Sequence, residues 1–180
     1  MIQVLRAESD ADLAHVVELQ NRYLKANISA EAQSGGFLSN SFSVQQFRAI
    51  DNDCCVVAAK DDASHVVGFL CGSTWEAMKG NALVGSMTAS VDMTKIDPAA
   101  TCIAGPVCID ESARGQGLMQ KLYGFLGEYL NSRTPMRSMM VFINDSNAAS
   151  IRAHENIGFK SIADFEHNGL KYSTFVKPAV

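Results

Sequence analysis

Residues 107–122 read VCIDESARGQGLMQKL, and this stretch decides how the rest of the chain is interpreted. Residues 102–109 are apolar and end in a β-branched side chain, as a buried strand does. Residues 110–116 are polar and contain the small residues of a turn. From Gly117 onward, apolar side chains recur at three- and four-residue steps, as on one helix face: Leu118, Leu122, Phe125, Leu126, Tyr129 and Leu130. The stretch therefore predicts a strand, a tight glycine turn and a helix N-terminus.

The turn carries the chemistry of an anion site. The first turn of a helix has N–H groups without internal partners, and the macrodipole makes that end positive. Gly115 and Gly117 let the backbone approach a ligand closely, and Arg114 adds a permanent positive charge. These features predict a cradle for a phosphate or pyrophosphate. For the two glycines alone, a plain turn into a helix is the alternative interpretation.

Periodicity, helix-capping residues and turn residues predict the remaining elements. Ser9 with Asp12 and Ser43 with Gln46 resemble capping boxes at helix starts, and Asn168-Gly169 predicts a turn between two strands. Strands are expected at 2–6, 54–59, 65–74, 137–144, 159–166 and 171–177, and helices at 10–24, 44–51 and 148–157. Another short helix is expected within 75–100. Residues 26–42 predict a loop whose apolar tip, Phe37-Leu38, folds inward, or a surface loop with one buried anchor. The order predicts an α/β (α+β) single domain, residues 1–180, around one mostly antiparallel sheet.

The turn also resembles a known family. Arg114-Gly115-Gln116-Gly117 between a strand and a helix resembles the acyl-CoA signature of the GNAT superfamily of N-acyltransferases, although Met119 stands where Gly or Ala is usual. Residues 147–159, NAASIRAHENIGF, resemble the family's second motif, in which an Asn opens a helix that closes with Gly-Phe. The run Asn-x-x-Ser-x-x-x-His-Glu resembles the phosphinothricin acetyltransferase-like members. The resemblance implies a GNAT domain whose sheet is splayed between the strands at 102–109 and 137–144 and flanked by helices.

The resemblance further implies acetyl-CoA as co-substrate and a set of binding residues. These are Val107, Cys108, Ile109, Arg114, Gly115, Gln116, Gly117, Leu118, Met119, Asn144, Asn147 and His154. A bulge at Gly105-Pro106 would let the backbone of 107–109 pair with the pantetheine amides, with an N–H near Cys108 or Ile109 facing the thioester carbonyl. Transfer to the amine would be direct, without a covalent enzyme intermediate.

His154 stands where many family members have a tyrosine that protonates the departing thiolate. An imidazole is an adequate donor near neutral pH, so His154 is predicted as the general acid. The alternative is a partly buried histidine that only orients or packs against the co-substrate. No general base is identified. Glu31, Glu76 and Asp92 are candidates only because they lie near variable segments, and a water chain is the alternative.

Composition narrows the function classes. The chain has 180 residues, 47% hydrophobic and 19% charged, as in an ordinary globular protein. A net charge of −4 argues against nucleic acid as the main partner, and no apolar run reaches the roughly 18 residues of a membrane span. The start lacks the pattern of a secretory signal. The odd cysteine number and the lack of C-x-x-C predict buried free thiols in the cytoplasm and no metal: Cys54, Cys55, Cys71, Cys102 and Cys108.

The sequence therefore predicts an acetyl-CoA-dependent N-acetyltransferase acting on the primary amine of a small molecule. Two alternatives stay open: a catalytically silent acyl-CoA sensor, and a transferase acting on a peptide or protein amine. Met and Trp side chains within 75–100 either line the substrate pocket or form a satellite core. The oligomeric state, monomer or homodimer, is left open.

Overall fold

A computed structural model describes residues 1–179, which contain seven strands and five α-helices. The strands are β1 (Gln3–Arg6), β2 (Cys55–Lys60), β3 (Val66–Ser73), β4 (Thr101–Ile109), β5 (Ser138–Asn144), β6 (Lys160–His167) and β7 (Leu170–Pro178). The helices are α1 (Asp10–Arg22), α2 (Val44–Asp53), α3 (Ala82–Ser90), α4 (Leu118–Arg133) and α5 (Ala148–Asn156). Every predicted helix and strand is present, including the short helix within 75–100.

The strands form one sheet in the order β1-β2-β3-β4-β5-β7-β6. All neighbours pair antiparallel except β4 and β5, which are parallel. This confirms the predicted α/β fold around a mostly antiparallel sheet. The turn between β6 and β7 has two consecutive residues at positive φ, Asn168 at 51° and Gly169 at 74°, as a tight hairpin requires.

The parallel pair β4–β5 is short and opens into a cleft. The two strands pair only from Thr101 to Ile103 on β4, against Ser138 to Met140 on β5. On its other side β4 continues beside β3 as far as Ile109, with a register shift opposite Gly105-Pro106. The predicted splay and the predicted bulge are both confirmed. Beyond Ile103, the edge of β4 that faces β5 has no strand partner among the described residues.

Helices cover both faces of the sheet. On one face, α4 packs Leu122 and Leu126 against Val57 and Leu70 of β2 and β3. On the opposite face, α1 and α2 pack against the alternate residues of the same strands, including Val56 and Phe69. The continuous apolar run at 54–59 predicted a strand buried on both faces, and the alternation confirms it. A third, smaller cluster joins α3 to β4 and β5: Trp75, Val84, Met87, Val91, Ile103 and Met140.

The local start signals of two helices act as the sequence indicates. Ser43 and Gln46 form a complete capping box at the start of α2. Ser9 accepts a hydrogen bond from the backbone N–H of Asp12 at the start of α1. All five cysteines are free and buried. Within residues 1–179 no helix has the length and apolar character needed to cross a membrane.

Two glycines of α4 offer a matched test of this packing. A Cβ built at Gly127 would lie 1.9 Å from the carbonyl oxygen of Ala179, whereas one built at Gly124 meets nothing within 4 Å. Gly124→Ala should therefore raise the free energy of unfolding by about 1 kcal/mol or less, through helix propensity. Gly127→Ala should lower it by about 1–3 kcal/mol, because the terminal segment must move. Urea denaturation of both variants measures this. Equal stabilisation by the two changes would contradict the packing of the C-terminal segment on α4.

Candidate active site

Two cavities meet in the splay between β4 and β5. The first, about 330 Å³, lies at the glycine turn and the starts of α4 and α5. The second, about 170 Å³, lies between the splayed strands and the segment that leads into α3. Six residues line both cavities and form the wall between them: Phe37, Leu38, Val107, Asn147, Ser150 and His154.

The glycine turn leaves the start of α4 open for an anion. Gly115 and Gly117 have φ of +72° and +69°, in the left-handed region that favours glycine. Gly117 is the N-cap of α4, and no side chain of the described residues caps this helix start. Because the first N–H groups of a helix lack internal partners, they remain available to a ligand.

The guanidinium of Arg114 places a positive charge at the first cavity. Its Nε donates to the carbonyl of Ile109 at 3.1 Å, and its guanidinium carbon lies 5.2 Å from the centre of the Tyr23 ring. A Cβ built at Gly35 would lie 2.9 Å from its Nη1, so the guanidinium passes close to this backbone. The Tyr23 ring, the Ile109 carbonyl and the backbone at Gly35 thereby orient the planar guanidinium.

The C-terminus of α1 braces the turn. Arg22 forms an ion pair with Asp110 at 2.7 Å, and the hydroxyl of Tyr23 accepts the backbone N–H of Glu111 at 2.7 Å. Asp110 also accepts the N–H of Ser112 at 3.0 Å. These contacts position the backbone between β4 and α4 before any ligand binds.

The open edge of β4 presents backbone groups to the cleft. The N–H of Asp110 donates to Val67 of β3 at 2.9 Å. The backbone N–H and C=O groups of successive residues point to opposite sides of a strand. Those of Cys108 therefore point towards β3, and those of Val107 and Ile109 point towards the cleft. This favours Val107 and Ile109 over Cys108 as the donors to a ligand. Burial raises the pKa of the Cys108 thiol to about 12, which supports its interpretation as a core thiol.

A family model described as the acetyltransferase (GNAT) family matches residues 18–159, more than half of the chain. The chain belongs to the GNAT acetyltransferase family. Curated proteins gave no match. Among solved structures, this GNAT domain is similar to an N-acetyltransferase from Staphylococcus aureus Mu50, with 18% identity, a TM-score of 0.66, and 100% of this chain and 99% of that one covered.

Two further structural relatives have more specific names. One is the ribosomal-protein-alanine N-acetyltransferase from Brucella melitensis, with 18% identity, a TM-score of 0.65, and coverage of 98% of this chain and 99% of that one. The other is a GNAT superfamily phosphinothricin acetyltransferase from Sinorhizobium meliloti in complex with acetyl-CoA. It has 17% identity and a TM-score of 0.61, and the match covers 98% of this chain and 88% of that one. At these identities the likeness shows the fold. The phosphinothricin acetyltransferase-like character of the second motif stays a prediction.

In this GNAT domain, most of the predicted binding residues come together. Ten of them line the first cavity: Val107, Cys108, Ile109, Arg114, Gly115, Gly117, Leu118, Met119, Asn147 and His154. Two do not. The side chain of Gln116 donates back to the carbonyl of Ser112 at 3.1 Å, and Asn144 lines the second cavity instead of the first. The Gln116 side chain therefore folds back on the turn and Asn144 lies on the other side of the wall, and their roles in binding the co-substrate stay predictions.

Asn147 joins the second motif to the loop over the cleft. Its Oδ1 accepts the N–H of Ser150 at 3.3 Å and so caps α5, while its Nδ2 donates to the carbonyl of Phe37 at 3.0 Å. Phe37 and Leu38 are buried, which confirms the inward-folded tip of the loop. The amide of Asn147 thus positions the segment that lines both cavities.

His154 is neutral and has both ring nitrogens engaged. It is 3% exposed, and this burial lowers the pKa of His154 to about 4. Its Nδ1 lies 2.8 Å from the carbonyl oxygen of Ser150, which can only accept, so Nδ1 carries the proton. Its Nε2 lies 2.8 Å from the hydroxyl of Tyr123 and therefore accepts that O–H. This geometry does not support the predicted acid role, because neither the charge nor an Nε2 proton is present near neutral pH.

The carboxylates considered as bases lie away from both cavities. Glu76 is exposed and pairs with Lys79. Hydrogen bonds from Thr94 and Lys95 lower the pKa of Asp92 to about 2. Like these two, Glu31 is absent from the linings of both cavities. The candidates are therefore set aside as side-chain bases within residues 1–179.

The structure adds residues that the sequence pattern did not single out. Tyr23 and the segment 35–38 line the first cavity, and Tyr123 lines the second. Tyr123 lies on the buried face of α4, and a buried phenol needs a hydrogen-bond partner, which was the available signal. In the 75–100 segment, Trp75 belongs to the satellite core, as one alternative predicted. Met78 and Leu83 line the second cavity, and its use as the substrate pocket stays a prediction.

The cradle can be tested with an isosteric pair of variants. A Cβ at Gly117 meets nothing within 4 Å, so Gly117→Asn and Gly117→Asp share the same backbone strain and nearly the same volume. If the turn holds a pyrophosphate, the Asp variant should bind acetyl-CoA at least about tenfold more weakly than the Asn variant, because it adds a like charge. Calorimetry at two salt concentrations measures this, and the difference should shrink at high salt. Equal affinities would place the pyrophosphate elsewhere.

The state of His154 predicts a pH-dependent stability. Its folded pKa of about 4 lies below the ordinary 6.5. Between these values the unfolded chain binds a proton that the folded protein does not, so stability falls as pH falls from 6.5 to 4. The loss is on the order of 3 kcal/mol. His154→Gln cannot titrate but keeps an acceptor for Tyr123, so its stability should depend less on pH in this window. If the free energy of unfolding, measured by urea denaturation from pH 7 to 4, has the same slope against pH in both proteins, the pKa of His154 does not differ between the folded and unfolded states.

Proposed function

We propose that the protein is an acetyl-CoA-dependent N-acetyltransferase that transfers an acetyl group to the primary amine of a small molecule. The observation that carries this proposal is the meeting of two cavities at an unpaired strand edge, one with a glycine turn and Arg114 and the other lined mainly by apolar side chains. The acetyl-CoA complex of the Sinorhizobium meliloti relative supports the choice of co-substrate.

The residues of the first cavity fit acetyl-CoA. The uncapped start of α4, with Gly115 and Gly117 at positive φ, suits the pyrophosphate, and Arg114 adds a counter-charge. The open edge of β4 suits the pantetheine amides, since the N–H groups of Val107 and Ile109 face the cleft, as does the carbonyl of Val107. The carbonyl of Ile109 already accepts the Nε of Arg114. Bound acetyl-CoA would supply the thioester whose carbonyl carbon the acceptor amine attacks.

The chain's own contribution to transfer is positioning and electrostatics. A backbone N–H of Val107 or Ile109 is placed to donate to the oxygen on which negative charge develops. The thiol of Cys108, with its pKa raised to about 12, is a poor nucleophile at neutral pH, which favours direct transfer over an acyl-enzyme. The neutral His154 accepts the hydroxyl of Tyr123, and both side chains line the second cavity. In this proposal His154 orients Tyr123 and does not itself protonate the thiolate.

Two alternatives have specific observations in their favour. The Brucella melitensis relative is named for a protein substrate, which keeps a peptide amine as a candidate acceptor. The small volume and side-chain walls of the second cavity favour a small molecule. Among the described residues that line the cavities there is no carboxylate, and this observation favours a silent acyl-CoA sensor.

Release of free thiol from acetyl-CoA across a panel of amines tests the function. We expect amine-dependent release by the wild-type protein and its loss in Gly117→Asp at sub-saturating acetyl-CoA. Mass spectrometry of the product should show an added acetyl group on the amine. A protein that binds acetyl-CoA in calorimetry but releases no thiol with any small amine or peptide would favour the sensor. Release with peptides alone would favour the peptide acceptor.

A further inference from the structure

We propose that the second cavity selects acceptor amines whose non-reacting part carries no charge. This rests on the proposed function, since it assigns the second cavity to the acceptor. The basis is the chemistry of its walls. Aromatic and aliphatic side chains form much of the lining, including Phe42, Met78, Leu83, Phe142 and Tyr172. Among the described residues that line this cavity there is no Lys, Arg, Asp or Glu.

Two buried ionisable groups that line the cavity, His154 and Tyr123, are neutral near pH 7. Burial lowers the pKa of His154 to about 4 and raises the pKa of Tyr123 well above its ordinary value. These two groups also satisfy each other through the 2.8 Å hydrogen bond between them. Neither supplies a counter-charge to a carboxylate or to a second ammonium group in the acceptor.

Charged groups near the cavity are engaged elsewhere. Asp145, next to Asn144 at the end of β5, accepts the hydroxyl of Ser173 at 2.9 Å and is exposed. Lys79, next to Met78, pairs with Glu76. The ammonium of Lys25 stands 4.8 Å from the centre of the Phe37 ring. An ionised substituent in the cavity would thus meet no side chain of opposite charge among the described residues that line it.

Two carboxamide side chains of the lining offer neutral hydrogen-bond donors. The Oδ1 of Asn81 accepts a hydrogen bond from the N–H of Leu83 at 3.0 Å, and the Oδ1 of Asn144 accepts one from the N–H of Ser146 at 3.0 Å. Since an oxygen must face each N–H, the side-chain NH₂ groups are the atoms left for a ligand. Such donors suit a hydroxyl, ether or carbonyl oxygen on an otherwise apolar body.

The energetic consequence is selectivity. Burying a neutral hydroxyl beside a carboxamide costs little, whereas burying an ion without a partner costs far more than a neutral donor returns. An amine with an uncharged aromatic or aliphatic body should be preferred over the amino acid or diamine of the same skeleton. We expect discrimination on the order of 10²-fold or more in kcat/KM.

Three matched acceptors test this directly: tyramine, tyrosine and tyrosine methyl ester. They share the ring, the hydroxyl and the reacting amine. Tyrosine adds a carboxylate, and the ester keeps most of its bulk without the charge. Tyramine and the ester should be acetylated with similar kcat/KM, and tyrosine on the order of 10²-fold more slowly. The pair pentylamine and cadaverine tests a second cation in the same way. The proposal would be overturned if tyrosine had the same kcat/KM as tyramine, or if the kcat/KM of the ester were as low as that of tyrosine.

A charge placed in the wall should change the preference. Met78→Arg puts a guanidinium at the cavity and should shift the tyrosine-to-tyramine ratio at least about tenfold towards tyrosine. Met93→Arg makes the same change at an exposed methionine outside both linings and should leave the ratio unchanged. An equal shift in both variants would show that general charge, and not the cavity, sets the preference.

Binding measurements separate this proposal from the proposed function. The same amines are titrated by calorimetry into the protein loaded with coenzyme A, where no turnover is needed. Preferential binding of tyramine without acetylation of any amine would refute the transferase and retain the selectivity of the cavity. Acetylation of all the amines without preference would support the transferase and refute the selectivity of the cavity. If neither tyramine nor pentylamine binds or reacts, the assignment of the cavity is wrong.

Discussion

The site depends on the early end of the pairing between β4 and β5. Two parallel strands that stayed paired would satisfy each other's backbone and leave no cleft. Here they part after Ile103 and Met140, and the bulge at Gly105-Pro106 shifts the remainder of β4. The unpaired N–H and C=O groups of that edge must then face water or a ligand. Both cavities lie along this opening, so the fold creates the site by leaving part of its own sheet incomplete.

The loop between α1 and α2 closes the cleft through contacts with both motifs. Phe37 is held by Asn147 at the start of α5, and Tyr23 stacks on Arg114 beside the glycine turn. The same segment therefore forms a wall of each cavity. Because these contacts join residues more than 90 positions apart in the chain, they form only when the sheet is assembled.

Burial decides the chemistry of the ionisable groups at the site. A histidine near neutral pH is a proton donor in water, but His154 lies between the carbonyl of Ser150 and the hydroxyl of Tyr123 and remains uncharged. The Cys108 thiol is held in its protonated form by the same effect. Transfer in such a site relies on positioned backbone dipoles and the absence of competing charge, in keeping with the neutral walls of the second cavity.

The sequence by itself determined the elements, the fold class and the glycine cradle, because these follow from local periodicity, capping and turn chemistry. The Ser43 capping box, the turn at Asn168 and the helix start at Gly117 all appear where short-range patterns place them. Only the tertiary structure decided that Tyr123 is the partner of His154 and that Asn144 belongs to the second cavity. The burial, protonation state and orientation of a side chain depend on elements that are distant in the chain, and no local pattern carries that information.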